Sequence, residues 1–510
     1  MLRAIRNLHR LFTIARVLAR HDALAVVDLP VAALASSLLR LGRAPEPGRP
    51  GQRLAAALIE LGPTFIKLGQ ALSTRADLLG EEMTADLSEL QDRLAPFPAS
   101  LARSIVEEDL DQPLAALYTH FDDRPVAAAS IAQVHFATTS DGREVAVKVL
   151  RPGLEQAFRR DIDLLRWLSE WVELTQPGLR RLRMVESVDT FAESVQLEMD
   201  LRFEAAAAAE MAENFAGDDS FRVPEVDWQR TAKRVLTLER VSGIPVDEVA
   251  AIRAAGIEPD EVLRKAAEAF FNMVFRDGFF HADMHPGNLF VDANGNLVAV
   301  DFGIMGRVDL STRRFLGEML VGFLNGDYRR VAEVHFEAGF VPADKNVDNF
   351  TQACRSIAEP IMGRPLHEIS IARLLGQLFE ITEHFAMQTQ PQLLMLQKSM
   401  LVAEGVGRTL DPSVNMWELA RPPIESWMTA HLGPQARLKE GVAGLVHGLE
   451  RLPHLLAQTE RTYGSLMNGG LRLHPDTVKA MRGETGGRRL SPPWLPWLLA
   501  LILAALLLWK

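Results

Sequence analysis

The chain changes hydrophobic period several times, and each change marks an element. Residues 1–22 set Arg3, Arg6, His9, Arg10, Arg16 and Arg20 among Leu2, Ile5, Leu8, Leu11, Phe12, Ile14 and Leu18, close to helical spacing. This pattern suits a basic amphipathic helix on an anionic membrane surface and, equally, a helix docked on its own lobe. Leu29 to Leu41 is apolar but too short to span, and Ala44-Pro-Glu-Pro-Gly-Arg-Pro-Gly51 reads as a linker. Gly62-Pro63 starts a helix on which Lys67, Gln70 and Thr74 fall three and four apart, on one face.

From Phe121 the period shifts to that of strands. Pro125-Val-Ala-Ala-Ala-Ser-Ile-Ala-Gln-Val-His135 precedes a Ser140-Asp-Gly-Arg143 turn, after which Val145, Val147 and Val149 alternate with Ala146 and Lys148. Phe191 to Glu204 and the alanine-rich stretch beyond it read as helix. Asp200 and Glu204 share a face of that helix, but Glu198 sits about 200° from Asp200 by the helical repeat. Both acids of Glu198-Met-Asp200 therefore reach one site only if the helix begins or bends there. Val235 to Gly243 looks like a strand leading into a hinge, and helix follows from Pro259 to Asp277. Leu289 to Val300 holds two short apolar runs around Asp-Ala-Asn-Gly, a β-hairpin pattern. Residues 310–480 read as mostly helical, with Met387 to Met400 as core filler.

The hairpin has a motif on each flank: His281-Ala-Asp-Met-His-Pro-Gly-Asn288 before it and Asp301-Phe-Gly303 after it. Asp, Asn and Gly are ordinary turn residues, so either motif alone says little. Together they look like the catalytic and metal-holding segments of a kinase fold. Phosphoryl transfer needs a carboxylate near the nucleophile (Asp283) and an Asn and an Asp to hold magnesium (Asn288, Asp301). The matching Val-Ala-x-Lys of kinases puts Lys148 on the α- and β-phosphates, paired with a glutamate from a following helix. Ala127, Ala128, Ala129 and Ser130 occupy the place of the glycine-rich phosphate loop. Their Cβ atoms should stiffen that loop and alter its grip. Glu239 and Val241 lie where hinge backbone would meet adenine, and Val134 joins the nucleotide contacts. After Gly303 the chain returns to helix at Ser311 with no Ala-Pro-Glu, so the peptide-docking surface of protein kinases is expected to be missing.

Composition narrows the class. A 510-residue chain that is 48% hydrophobic can bury a large core in two or more lobes. A net charge of −11 argues against nucleic acid as a partner. The single Cys354 rules out an intramolecular disulfide and reads as a small buried apolar residue. The amino terminus lacks the compact apolar core and cleavage site of a signal peptide. Trp494 to Lys510 has no charge before its last residue, Trp at both ends, and Arg488 and Arg489 ahead of it. That is the dress of a membrane segment with its catalytic body on the cytoplasmic side. Counted from Pro492 it reaches the low end of the ~17 to 25 residues a spanning helix needs. It fits a single tail anchor or half of a pair contributed by two subunits of a homodimer.

Lys67-x-Gly69-Gln70 ahead of a kinase-like lobe resembles the hallmark of the UbiB family of aarF-domain atypical kinases, and the resemblance covers roughly residues 55–420. It implies an α+β, two-lobed protein-kinase-like fold with a helical extension before it and a C-terminal membrane helix. The expected organisation is a basic helical segment (1–50), the extension (51–115), an N-lobe (116–241), a C-lobe (242–420), a helical region with linker (421–490) and the anchor (491–510). The resemblance further implies that Glu204 pairs with Lys148, and that Glu198 and Asp200 contact Lys67. It places Lys67 and Gln70 across the site where a kinase substrate normally sits, in a regulatory or catalytic role. ATP and Mg²⁺ are the implied cofactors. Lipid-like quinone precursors, the enzymes that modify them and the inner membrane are the implied partners, in ubiquinone biosynthesis. A conventional protein kinase, a small-molecule or lipid kinase and a non-catalytic nucleotide-sensing scaffold are the competing readings. No dinucleotide fingerprint or His/carboxylate iron cluster supports direct oxygen chemistry.

Overall fold

The computed structural model describes residues 2–23, 48–73, 80–88, 90, 94–175, 184–361, parts of 377–387, 391–411 and 416–432. The expected anchor at 491–510, the linker before it and Thr74 lie outside the described residues. Among the described residues no helix is long and apolar enough to cross a membrane.

The N-terminal part is helical: α1 (Leu2–Arg20), α2 (Pro50–Leu61), α3 (Pro63–Leu72), α4 (Glu81–Ser88) and α5 (Ala99–Leu110). Ile14 and Val17 of α1 pack with Leu58, Leu61, Phe65 and Ile66 of α2 and α3, and with Leu164 of the long helix α6 (Leu154–Thr175). The basic face of α1 is committed to the same helices. Arg10 grips the buried Asp161 carboxylate with Nε and Nη2 at 2.8 and 2.9 Å, Arg6 reaches Asp163 at 2.7 Å, and Arg20 pairs with Glu60. Of the two readings of this helix, docking is the one the contacts support.

A sheet in the order β1-β3-β4-β6 follows, with β2 also on β3: β1 (Tyr118–Phe121), β2 (Ala127–Ala128), β3 (Ala132–Thr139), β4 (Glu144–Leu150) and β6 (Val235–Glu239). Val145, Val147 and Val149 are fully buried on one face, each contributing roughly 1.5–3 kcal/mol. β4 is central, not an edge, so Lys148 lies on the opposite, cleft-facing side, opposite Val134 of β3 and Leu236 of β6. The helical stretch predicted through Asp200 is two helices, α7 (Met184–Glu198) and α8 (Leu201–Asn214), broken at Met199–Asp200.

The second lobe is built on α9 (Pro259–Phe271), which runs into a wide π-helical turn, Asn272–Asp277. Next come β8 (Phe279–His281), β9 (Leu289–Val291), β10 (Leu297–Ala299) and β11 (Met305–Arg307). β9 and β10 form the predicted hairpin, Leu289 opposite Ala299, which sets Asn288 beside Val300. They lie in a sheet ordered β5-β10-β9-β7, with β5 at Phe221–Arg222 and β7 at Ile244–Pro245. β11 pairs antiparallel with β8, Met305 opposite His281. Gly306 permits this closeness, because a Cβ there would fall 2.1 Å from the Phe280 ring. Helices α10 (Leu310–Leu324), α11 (Tyr328–Glu337), α12 (Val347–Ala358), α13 (Pro391–Leu410) and α14 (Met416–Leu432) complete the lobe. Cys354 is buried among Val331, Phe350 and Phe385, and burial pushes its thiol up to about 12. In the methionine-rich stretch, Met395 packs on the main core, whereas Met400 is exposed and fills nothing.

Candidate active site

Three charged side chains from three elements meet under the first sheet. Lys148 of β4 donates to both Glu204 oxygens, at 2.7 and 2.9 Å, and to Asp301 Oδ2 at 3.2 Å. Glu204 is in the first turn of α8, and its place depends on the break that starts that helix. Burial opposes the Lys148 ammonium, but Asp301 and Glu204 outweigh it and hold the lysine charged, above its usual range. Burial is the larger influence on Glu204, pushing its carboxyl up to about 7 against the pull of Lys148. For Asp301, partial burial is outweighed by Lys148 and the Gly303 N–H, and the carboxyl stays well below the usual range.

The catalytic segment is tied to the Asp301 loop by one imidazole. The Asp283 N–H donates to His281 Nδ1 at 3.1 Å, so the proton sits on Nε2, which donates to the Asp301 carbonyl. Burial lowers the His281 pKa, in keeping with a neutral ring. The Asn288 amide nitrogen donates to the Asp283 carbonyl at 3.2 Å, which assigns the other end of the amide as the oxygen. Asp283, Asn288 and Asp301 are thus assembled by two strand pairs and one histidine.

The alanine loop is fixed from behind. The Ala129 N–H donates to the Ala132 carbonyl at 2.8 Å, and Arg151 Nε donates to the Ala129 carbonyl at 2.9 Å while its Nη1 reaches the Ala95 carbonyl, also at 2.9 Å. Ser130 is fully buried, and its hydroxyl has no hydrogen-bond partner among the described residues. Gln133 bonds both backbone groups of Phe97 and donates to His135 Nε2 at 2.8 Å, while His135 Nδ1 donates to the Asp122 carbonyl. Gln133, His135 and Arg151 strap the segment at 94–97 to the loop and its strand, a role their sequence context did not announce.

At the hinge, the Glu239 side chain turns away to Arg222, and its N–H donates to the Glu225 carbonyl at 2.8 Å. Arg240 N–H is taken by the Glu144 carbonyl at 3.1 Å, and Val241 follows half-buried.

Lys67 of α3 lies 2.8 Å from Glu198 Oε2, at the end of α7, with Gln70 one turn further along α3. Asp200 is a correction to the sequence reading. Its carboxylate caps α8 by accepting from the Arg202 N–H at 3.2 Å and pairs with the Arg202 guanidinium at 2.6 Å. The helix does break at this point, but the break makes Asp200 a cap rather than a second partner for Lys67.

Sequence reasoning missed Lys398. It comes from α13, and its Nζ lies 3.1 Å from Asp283 Oδ1. The available signal was weak: Lys398 is the one charged residue between Pro391 and Ala403.

A two-lobed fold with a lysine–glutamate pair under its sheet and an Asp, Asn and Asp around a hairpin defines a kinase-like protein. Comparison with known proteins narrows this class. Residues 89–335 match the ABC1 atypical kinase-like domain and residues 354–415 the UbiB helical domain. A probable protein kinase UbiB of Marinobacter nauticus is 42% identical over 459 residues, covering 88% of this chain and 84% of that protein. Its counterpart in Xylella fastidiosa is 44% identical over 396 residues, with 76% and 72% covered. A solved structure of a Mycobacterium tuberculosis protein in complex with erythromycin shares 27% identity, with a TM-score of 0.49 over 74% of this chain and 94% of that one. The chain belongs to the UbiB family of atypical kinases.

Proposed function

We propose that this protein is a membrane-held atypical kinase or ATPase that uses Mg-ATP to support ubiquinone biosynthesis, acting on or presenting polyprenyl-phenol precursors. The observation that carries the reading is the convergence of Lys148, Glu204 and Asp301 beside Asp283 and Asn288. Lys148 holds the α- and β-phosphates and Glu204 orients it. The Glu239 carbonyl and Val241 N–H face the adenine edge, with Val134 above the base. Ala127, Ala128, Ala129 and Ser130 lie along the phosphates.

The donor set fits magnesium. Asn288 and Asp301 offer hard oxygens, and the Asp301 side chain is 43% exposed towards the cleft. Magnesium bound by these two side chains would take its remaining oxygens from phosphate and water. Magnesium, when bound, neutralises charge on the phosphates. Asp283 takes the proton of the attacking hydroxyl or water as its oxygen bonds to the γ-phosphorus and the bond to the ADP oxygen breaks. Lys67, Gln70 and Glu198 border the site in a regulatory role. The Trp494 to Lys510 segment, with Arg488 and Arg489 before it, supports anchorage in the inner membrane with the catalytic body in the cytoplasm.

The test is phosphate release from Mg-ATP by the full chain, with and without anionic liposomes and a phenolic quinone-precursor analogue, beside Asp283→Asn and Asp301→Asn. Turnover that rises with lipid and vanishes in both variants supports the reading, and labelled product separates kinase from ATPase. Nucleotide binding without turnover above the variants would replace it with the scaffold.

A further inference from the structure

Phosphoryl transfer brings a polyanion to a site that is itself acidic. Asp283 and Asp301 are part-exposed and Glu204 is buried beside Asp301, so Lys148, held between the last two, is one ammonium among three acidic groups. From His281 to Gly306 the chain contains no Lys or Arg, so the catalytic segment supplies no cation for the transferred group. The ammonium beside Asp283 is that of Lys398. It arrives from α13, inside the helical domain at 354–415 and outside the kinase-like match at 89–335.

The helix is well placed to deliver it. α13 packs against α9 and β11, with Leu396, Val406 and Leu410 in the main core and Ser399 fully buried, while Met400 and Leu401 face outward. Lys398 therefore projects from the inner edge of a fixed helix. The pair itself is open, with side chains 35% and 33% exposed, and an ion pair of that kind contributes only about 0–1 kcal/mol to stability. Folding does not account for a lone charge on this apolar helix face, and an exposed ammonium is able to leave Asp283 for a phosphate oxygen.

We infer that Lys398 is the cation of the transfer site: its ammonium binds the γ-phosphate of the nucleotide, so that the helical domain completes the kinase-like site. This rests on the nucleotide reading above, and the experiment separates the two. Affinities for Mg-ADP and for a non-hydrolysable Mg-ATP analogue are measured on the full chain and on Lys398→Met, Lys398→Gln and Lys398→Arg, with phosphate release alongside. The two neutral variants should bind the triphosphate analogue about tenfold more weakly while holding ADP within about twofold, and should release phosphate at least ~100-fold more slowly. Arginine should recover part of both losses, and the unfolding midpoints should coincide with that of the parent. Equal effects on the two nucleotides, or turnover within about threefold of the parent while Asp283→Asn is inactive, would overturn the role of Lys398 and leave the proposed function standing. A parent protein that binds neither nucleotide would overturn both.

Discussion

Two lysines meet glutamates on either side of the α7–α8 break, and the two pairs differ in what surrounds them. Lys148 and Glu204 are joined by Asp301 from the second lobe, so three elements share one ammonium. Lys67 and Glu198 join the N-terminal extension to the last residue of α7, and Lys67 is itself 9% exposed. Only Met199 and Asp200 separate the helix carrying Glu198 from the one carrying Glu204. The first pair thus lies in the candidate site, with an excess of acidic groups that a nucleotide and its metal would relieve. The second borders it and fastens the helix pair from the extension side. The first contact is shared between the two lobes, and the second ties the extension to the end of α7.

The largest effect that sharpens this contrast is expected from Lys148→Met. It removes the ammonium between two carboxylates, and losing one member of a buried charged group costs about 3–5 kcal/mol. Urea unfolding should show that loss, and ADP binding should disappear. ADP affinity within a few-fold of the parent would mean that Lys148 is a structural cation and that the two pairs are alike. Lys67→Met should cost less, about 1–3 kcal/mol, since Glu198 is left part-exposed and solvated. It should leave ADP affinity within about threefold. If Lys67→Met abolishes ADP binding, the second pair belongs to the site and the distinction fails.

The extension has a second fastening, and it titrates. His135 is buried, accepts from Gln133 and is stacked on Phe121 at 4.9 Å, and burial holds its pKa below the usual 6.5. A histidine whose folded-state pKa is depressed binds its proton more readily in the unfolded chain. Its contribution to stability is therefore complete above pH 6.5 and is lost as the pH falls below that value towards the folded-state pKa. The parent should lose up to ~1.4 kcal/mol per pH unit more than His135→Asn over that window. Parallel stability–pH curves would show that the Gln133–His135 contact does not depend on protonation.

Local motifs made much of the site readable before the fold was known. Asp283, Asn288 and Asp301 lie on the flanks of one hairpin, and Asp-Ala-Asn-Gly announces that hairpin. Lys148 sits in a strand whose valines alternate. What could not be read was long-range. Lys398 is 115 residues from Asp283 along the chain, and an isolated lysine on a helix ordinarily means solvent. The basic face of α1 could be assigned only once Asp161 and Asp163 of α6 were seen opposite it. Gln133 and Arg151 act on backbone carbonyls, which no side-chain pattern reveals.

Asp200 is where the sequence reading and the geometry part, and it offers the smallest and most selective test. A straight helix sets Glu198 and Asp200 on different faces, so a shared site required a break. The break exists, but a residue just before a new helix faces unsatisfied N–H groups at short range, and a short carboxylate there caps them in preference to a lysine on another helix. Arg202, two residues on, adds a local partner. Asp200→Ala should then cost about 1 kcal/mol, the ordinary value of a lost cap. Asp200→Asn or Asp200→Ser, which retain a capping acceptor without the charge, should recover most of that loss. In a double-mutant cycle with Lys67→Met the two losses should add within about 0.5 kcal/mol. Strong coupling to Lys67, with no recovery by Asn or Ser, would return Asp200 to the lysine and merge the two sides of the break into one charged cluster.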